Sequence, residues 1–361
     1  MKLSSKFKKN IALFLAILTL TALLGACGKN DNTSGSFEPT SENLSESETL
    51  AGSEDPGSEE SVKDDVTVRV AGMTGPTSIG MVKMISDTSN GTALGSYDFT
   101  IAGSADEITP LIVKGELDIA AVPANLASVL YNKTEGKVKL LAVNNLGVLY
   151  IVDKGEEINS LEDLRGKTIY ATGKGSTPEY TLRYVLKGNG IDPDTDVTIE
   201  YKSEPAEIVA LFKSSDSGIA MLPQPFVTAA KAQVEGLEVS LDLGAEWKKL
   251  DETSDTVTGV IIARSEFIDA HPEAVKVFLD EYTASCEFVN ENVEAAAQMT
   301  EDAGIFKAAI AKAAIPFCNV TGTVGTEMKT AVSKYLSVLY AENPASVGGA
   351  LPDDDFYYLA D

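Results

Sequence analysis

Two short segments hold the residues best suited to grip a small solute. Thr74, Gly75, Thr77 and Ser78 lie in one, and Lys174, Gly175, Ser176 and Thr177 lie in the other. Each offers hydroxyls and backbone amides around glycine, and each leads into residues that read as a helix start. The free amides and the positive dipole end of a helix suit an anion or a carbonyl-type acceptor, and Lys174 adds a cation. Taken singly, either turn could be no more than a tight turn closed by Gly and Ser. The same arrangement at matching places along the chain is what points to a ligand. Asn125, just after Pro123, and Gln224, between Pro223 and Pro225, are side-chain amides presented at strand ends. Phe226 is either a stacking ring for a planar ligand or a core ring, and Asn144 and Thr258 are weaker polar candidates. A helix N-terminus contributes only about 0.3–1 kcal/mol toward an anion, whereas micromolar binding needs about 8 kcal/mol. Most of the affinity must therefore come from desolvated hydrogen bonds and burial, and the ligand is not legible from these turns.

Other chemistry is poorly supplied. The single histidine, His271, sits in Ala270-His271-Pro272, where a helix begins, and a capping or surface role suits it better than catalysis. A Ser-His-Asp set would need that one histidine in the site. A metal hydrolase would lack its usual nitrogen ligands. No metal or other cofactor is expected, and the chain does not read as an enzyme. Carboxylate-only catalysis is the form the composition leaves open, and turnover of a bound candidate would reveal it. Cys286 and Cys318 have no Cys or His neighbours at metal spacing; they are either a disulfide or two buried thiols. The formal charge of −25 argues against a nucleic-acid partner, although part of it lies before Val66.

The elements that must position these residues alternate strand and helix. Strands are expected at 66–70, 99–102, 118–122, 138–143 and 148–152, with helices between them. Ser104 and Glu107 have the spacing of a capping box. The rhythm restarts with a short helix after Ser160, strands at 168–171, 197–201, 218–222 and 239–243, and helices at 178–186, 205–212 (capped by Ser203) and 226–234. Glu179 stands three residues after Ser176 and reads as a cap. A strand at 259–263 leads back, and the remainder reads as helical. This βαβα order predicts mainly parallel sheets covered by helices, with ligand beyond the carboxyl ends of the strands. About 300 residues from Val66 onward suffice for two lobes.

The first residues concern location. Lys2, Lys6, Lys8 and Lys9 precede an apolar run over 11–24 and then Leu24-Gly25-Ala26-Cys27. These are the parts of a secretory signal, and the run is too short to span a membrane. Leu24-Gly25-Ala26-Cys27 resembles the bacterial lipobox, which implies a signal peptide over 1–26, cleavage before Cys27 and a lipid on its sulfur. An ordinary signal peptide with an incidental cysteine is the alternative. Residues 27–65 are rich in Ser, Glu, Asp, Gly, Thr and Asn and poor in large apolar side chains. They read as a disordered acidic tether.

The stretch from Ser160 to Ile169, followed by Gly173-Lys174-Gly175-Ser176-Thr177-Pro178-Glu179, resembles the second lobe of ABC-transporter solute-binding proteins of the nitrate/sulfonate/taurine type. That group also includes binders of thiamine pyrimidine precursors. Gly115-Glu116-Leu117-Asp118-Ile119-Ala120 and His271-Pro272-Glu273-Ala274-Val275 fit the same family. The resemblance implies a type II periplasmic-binding-protein fold: two doubly wound α/β lobes joined by a two-stranded hinge. It places lobe I at 66–146 plus 262–361 and lobe II at 147–261, with crossings near Asn145-Leu146-Gly147 and at 259–262. It implies a monomeric, extracytoplasmic, lipid-anchored binding component that captures a small anionic solute and delivers it to an ABC permease and, through it, its ATPase. A planar pyrimidine, held by Phe226 and tyrosines such as Tyr180, is the alternative ligand. A ligand-presenting sensor is the alternative role, which the gene neighbourhood would separate from import.

Overall fold

Alternating apolar runs and capped helices close here into two sheets. The computed structural model describes residues 66–359; the lipobox with Cys27 and the acidic tether lie outside the described residues. The chain begins with β1 (Thr67–Met73), α1 (Pro76–Ile79), α2 (Val82–Asn90), β2 (Ser96–Ala102), α3 (Ala105–Lys114), β3 (Ile119–Pro123), α4 (Ala124–Lys133) and β4 (Val138–Asn145). It crosses into a second sheet through β5 (Leu149–Lys154), β6 (Thr168–Ala171), α5 (Thr177–Gly188), β7 (Thr198–Tyr201), α6 (Pro205–Ser214), β8 (Gly218–Pro223), α7 (Phe226–Lys231), β9 (Leu237–Asp242) and α8 (Leu243–Leu250). It returns with β10 (Gly259–Arg264), α9 (Ser265–Ala270), α10 (Pro272–Glu291), α11 (Val293–Asp302), α12 (Ala308–Ala314), β11 (Val320–Thr323) and α13 (Gly325–Glu342).

The first sheet has the order β11-β4-β10-β3-β1-β2, and the second β7-β6-β8-β5-β9. These are the two α/β lobes of a periplasmic-binding-type fold. The sheets are mixed rather than mainly parallel. β1 pairs in parallel with β2 and β3, and β6 with β7 and β8. The strands next to each crossing run the other way: β10 is antiparallel to β3 and β4, and β5 to β8 and β9. A strand that arrives from the other lobe has no crossover helix to turn it parallel. Residues 259–261, given to lobe II on the strength of the family resemblance, pair with β3 and β4 of the first sheet. α8, α9 and β11 were not anticipated; the last sits in a stretch expected to be helical.

Local chemistry differs in detail from expectation. Ser104 and Glu107 do not form a capping box: the Ser104 hydroxyl lies 3.5 Å from the Glu107 carboxylate instead of meeting an amide. Glu179 accepts from the Gly175 amide at 2.6 Å, one residue earlier than a box with Ser176 requires. Glu204, not Ser203, is the cap residue of α6. Ser160 and Asp163 do make the reciprocal pair. Cys286 and Cys318 are buried free thiols, and burial pushes both up to about 12. No helix among the described residues is long and apolar enough to cross a membrane.

Three buried clusters hold this arrangement. One joins the first sheet to α2, α9, α10, α11 and α12; a second packs α6 and α7 on the second sheet. The third runs through both lobes, joining Leu182, Leu186 and Trp247 to Tyr335, Leu336 and Leu339 on α13. Trp247 and Tyr335 are fully buried, with ring centroids 5.3 Å apart.

Candidate functional site

The carboxyl ends of β1, β2 and β3 and of β6 and β8 open onto one cavity of about 560 Å³ between the lobes. Helices begin where those strands end, so their first turns form the cavity wall. Ser104 and Asp106 open α3, Pro123 and Asn125 open α4, Ser176 and Thr177 open α5, and Pro205 opens α6, all of them lining residues. The N-cap residues Ser104, Pro123, Ser176 and Glu204 make no capping hydrogen bond with their own side chains. The positive ends of four helices therefore face one space. Hydroxyls of Thr74, Thr172, Ser203 and Thr258 also line it, and the charged lining residues are Lys133, Lys174 and Asp106. Met73, Leu126, Val129, Leu149 and Phe226 supply an apolar wall.

The lobes touch on both flanks of the cavity. Asn125, 2 % exposed, accepts from the Thr177 amide at 3.0 Å and its hydroxyl at 3.2 Å, and donates to Ser346 O at 3.1 Å and Gly175 O at 3.4 Å. Its side chain thereby satisfies a first-turn amide of α5 from the opposite lobe. Thr181 and Tyr335 share a buried hydrogen bond of 3.1 Å, Lys187 pairs with Glu342, and Lys334 donates to Thr253 O at 3.0 Å. On the other flank Phe226 meets Phe306 edge-on, with centroids 5.1 Å apart. The structure thus holds the lobes together, with the cavity between them.

Thr74, Gly75, Thr77, Asn125, Lys174, Gly175, Ser176 and Thr177 are all brought to this cavity. Ser78 and Gln224 are not among its lining residues. Ser78 is fully buried and donates to Met73 O at 2.7 Å. Gln224 turns its carbonyl oxygen onto α7, accepting from the Thr228 amide at 3.3 Å and its hydroxyl at 2.8 Å. Lys174 is exposed at the rim, its ammonium 5.8 Å from the centre of the Tyr201 ring. Tyr180 lines a shallow recess outside with Glu179 and Arg183. His271 lies at the α9–α10 junction beside the Phe267 ring, away from the cavity. The apolar wall escaped sequence reasoning because Leu126, Val129 and Leu149 read as core. Ala345 and Ser346 reach the cavity from the far end of the chain, and no local motif announces that.

A model of the NMT1-like family matches residues 98–303. A protein of Brucella abortus, known by name only as a binding protein, is 29% identical over 171 residues, 47% of this chain and 51% of that protein. The match thus spans about half the length of this curated relative. Among solved structures, an ABC transporter protein from Parabacteroides distasonis has a TM-score of 0.69 at 24% identity, covering 82% of this chain and 99% of the other. The periplasmic aliphatic sulphonate binding protein SsuA from Escherichia coli has a TM-score of 0.62 at 15% identity, covering 82% and 94%.

Proposed function

The chain belongs to the NMT1-like family, and from that premise we propose that it is the extracytoplasmic solute-binding component of an ABC importer. It captures a small anionic solute of the sulfonate, taurine or nitrate type between its lobes and presents the closed form to a permease. The observation that carries this reading is the interlobe cavity onto which four helix starts, several hydroxyls and an apolar wall converge. The aliphatic sulphonate named for the Escherichia coli neighbour is such an anion with a carbon body. Lobe I comprises the segments that build the first sheet and lobe II those that build the second, hinged at the two crossings. The solute shifts the lobes toward closure because only the closed form gives it contacts from both. Lipid attachment at Cys27 would hold the protein at the outer face of the cell membrane. Nothing in this scheme needs a cofactor or a second subunit.

Thermal unfolding in the presence of sulfonates, amino sulfonates, nitrate and pyrimidines tests the reading. A true ligand at a hundred times its Kd adds about 2.7 kcal/mol. No shift with any of these overturns the ligand class. A second reading, a planar heteroaromatic, is favoured by the Phe226 ring in the cavity wall, and stabilisation by pyrimidines alone would select it.

A further inference from the structure

The two flanks of the cavity join the lobes by unequal means. On one, α13 of the first lobe lies against α5 and α8 of the second, and the contact is part of a core. Trp247 and Tyr335 are buried there with Leu182 and Leu186 of α5 and Leu336 and Leu339 of α13. The Tyr184 ring stacks 4.1 Å from that of Trp247, and the Tyr335 hydroxyl finds its partner in Thr181 across the lobe boundary. Parting the lobes on this side would carry aromatic rings and leucines into water and break a buried hydrogen bond.

The other flank has no such core. α7 and α12 approach one another there, but the buried cluster on each side stays within its own lobe. Lys231 pairs with Glu238 and Lys312 with Glu294, again each within its own lobe. What bridges the gap is the edge-on pair of Phe226 and Phe306, both only half-buried. Tyr150 donates to Phe317 O at 3.4 Å, but it stands just past the first crossing, where a hinge moves least. Phe226 lines the cavity, so separating the two rings opens it.

α13 is also continuous with the crossings. It follows β11, which pairs with β4 at Asn145, and its Lys334 holds Thr253 O just ahead of the return crossing. We propose, resting on the solute-binding reading above, that α13 is a third hinge element: it stays packed on α5 and α8 while the lobes swing apart at Phe226 and Phe306, the mouth through which solute enters. An apolar, core-like interface resists relative motion of two lobes, and a sparse one permits it. Asn125 lines the cavity whereas Thr181 and Tyr335 do not, so its bonds to the opposite lobe lie on the cavity side of the fixed core and part as the mouth opens.

Two bridges test this in the solute-free protein. Each cysteine pair is made with Cys27→Ala, which leaves Cys286 and Cys318, both buried, as the other thiols. Joining Phe226→Cys to Phe306→Cys with a short bismaleimide should shift small-angle scattering toward the compact, closed form. Joining Lys187→Cys to Glu342→Cys, on the α13 flank, should leave the scattering unchanged. Trp247 is the only tryptophan of the chain, so its emission reports that flank without any substitution; it should stay that of a buried indole and resist acrylamide. With taurine or ethanesulfonate as the probe, the first bridge should slow association at least about tenfold relative to the unbridged variant, and the second by less than about threefold. Compaction by the second bridge, no compaction by the first, or ready quenching of Trp247 overturns the proposal. If neither sulfonate binds, the sulfonate reading fails by itself, while scattering and quenching still decide the hinge.

Discussion

At the residue scale, Asn125 and Asp118 show two different uses of burial. Asn125 turns its amide oxygen to Thr177 and shares its amide nitrogen with Gly175 O on the opposite lobe, and those bonds exist only when the lobes are together. Asn125→Ala should weaken solute binding by about 1–3 kcal/mol and shift the apo protein toward an opened form. Titration calorimetry and small-angle scattering would check the two effects. Asp118 lies at the end of the first sheet remote from the cavity, 3 % exposed in its side chain, between Arg69 and Arg264. Burial alone would raise its pKa, but the hydrogen bonds from both guanidinium groups outweigh that and hold it below the usual carboxylate range. A carboxyl depressed in the folded state contributes stability above its unfolded pKa, and loses it as pH falls through the lower folded value. Asp118→Asn should therefore cost stability at neutral pH, near the low end of the about 3–5 kcal/mol for a broken buried pair, because Arg69 is partly exposed. The difference from the unaltered protein should shrink in strong acid, as denaturant titrations across pH would reveal.

At the element scale, the carboxyl ends of strands decide where the cavity lies, and the turns that reach it were readable beforehand. The turns after β1 and β6 announce themselves through glycine, hydroxyl residues and proline, and both reach the cavity. Ser78 and Gln224 carry the same kinds of atoms, yet the backbone turns them inward to cap and brace their own segments. Side-chain direction at a strand end depends on packing that no local motif encodes. The apolar wall and the contribution of Ser346 were hidden for a similar reason: apolar residues look alike in a core and in a pocket, and distant segments meet only through topology. β10 illustrates the element-level constraint most sharply, since Gly259 must sit bare against Asn145 and Thr77. Gly259→Ala should push the Asn145 amide out of place and destabilise the protein by about 1–3 kcal/mol, as overpacking does. Chemical denaturation would measure the loss, and a larger fall in solute affinity than in stability would tie the position to the site.

At the scale of the whole molecule, two-lobe architecture followed from the restarted βαβ rhythm and from the family resemblance, whereas the direction of the strands beside the crossings did not. The lipid attachment proposed for Cys27 makes its own prediction: Cys27→Ala should release the protein from the membrane fraction and abolish labelling by a radioactive fatty acid. The strand order carries a further consequence. β10 lies between β4 and β3, although it follows both by more than a hundred residues of chain. While the polypeptide emerges amino end first, β3 and β4 have no middle neighbour, and each exposes an unpaired row of amides and carbonyls. Everything needed for the second sheet, by contrast, is a single uninterrupted stretch from β5 to β9. The later part of the chain can thus mature before the earlier part, and the facing edges of β3 and β4 must be shielded until the returning strand zips them shut.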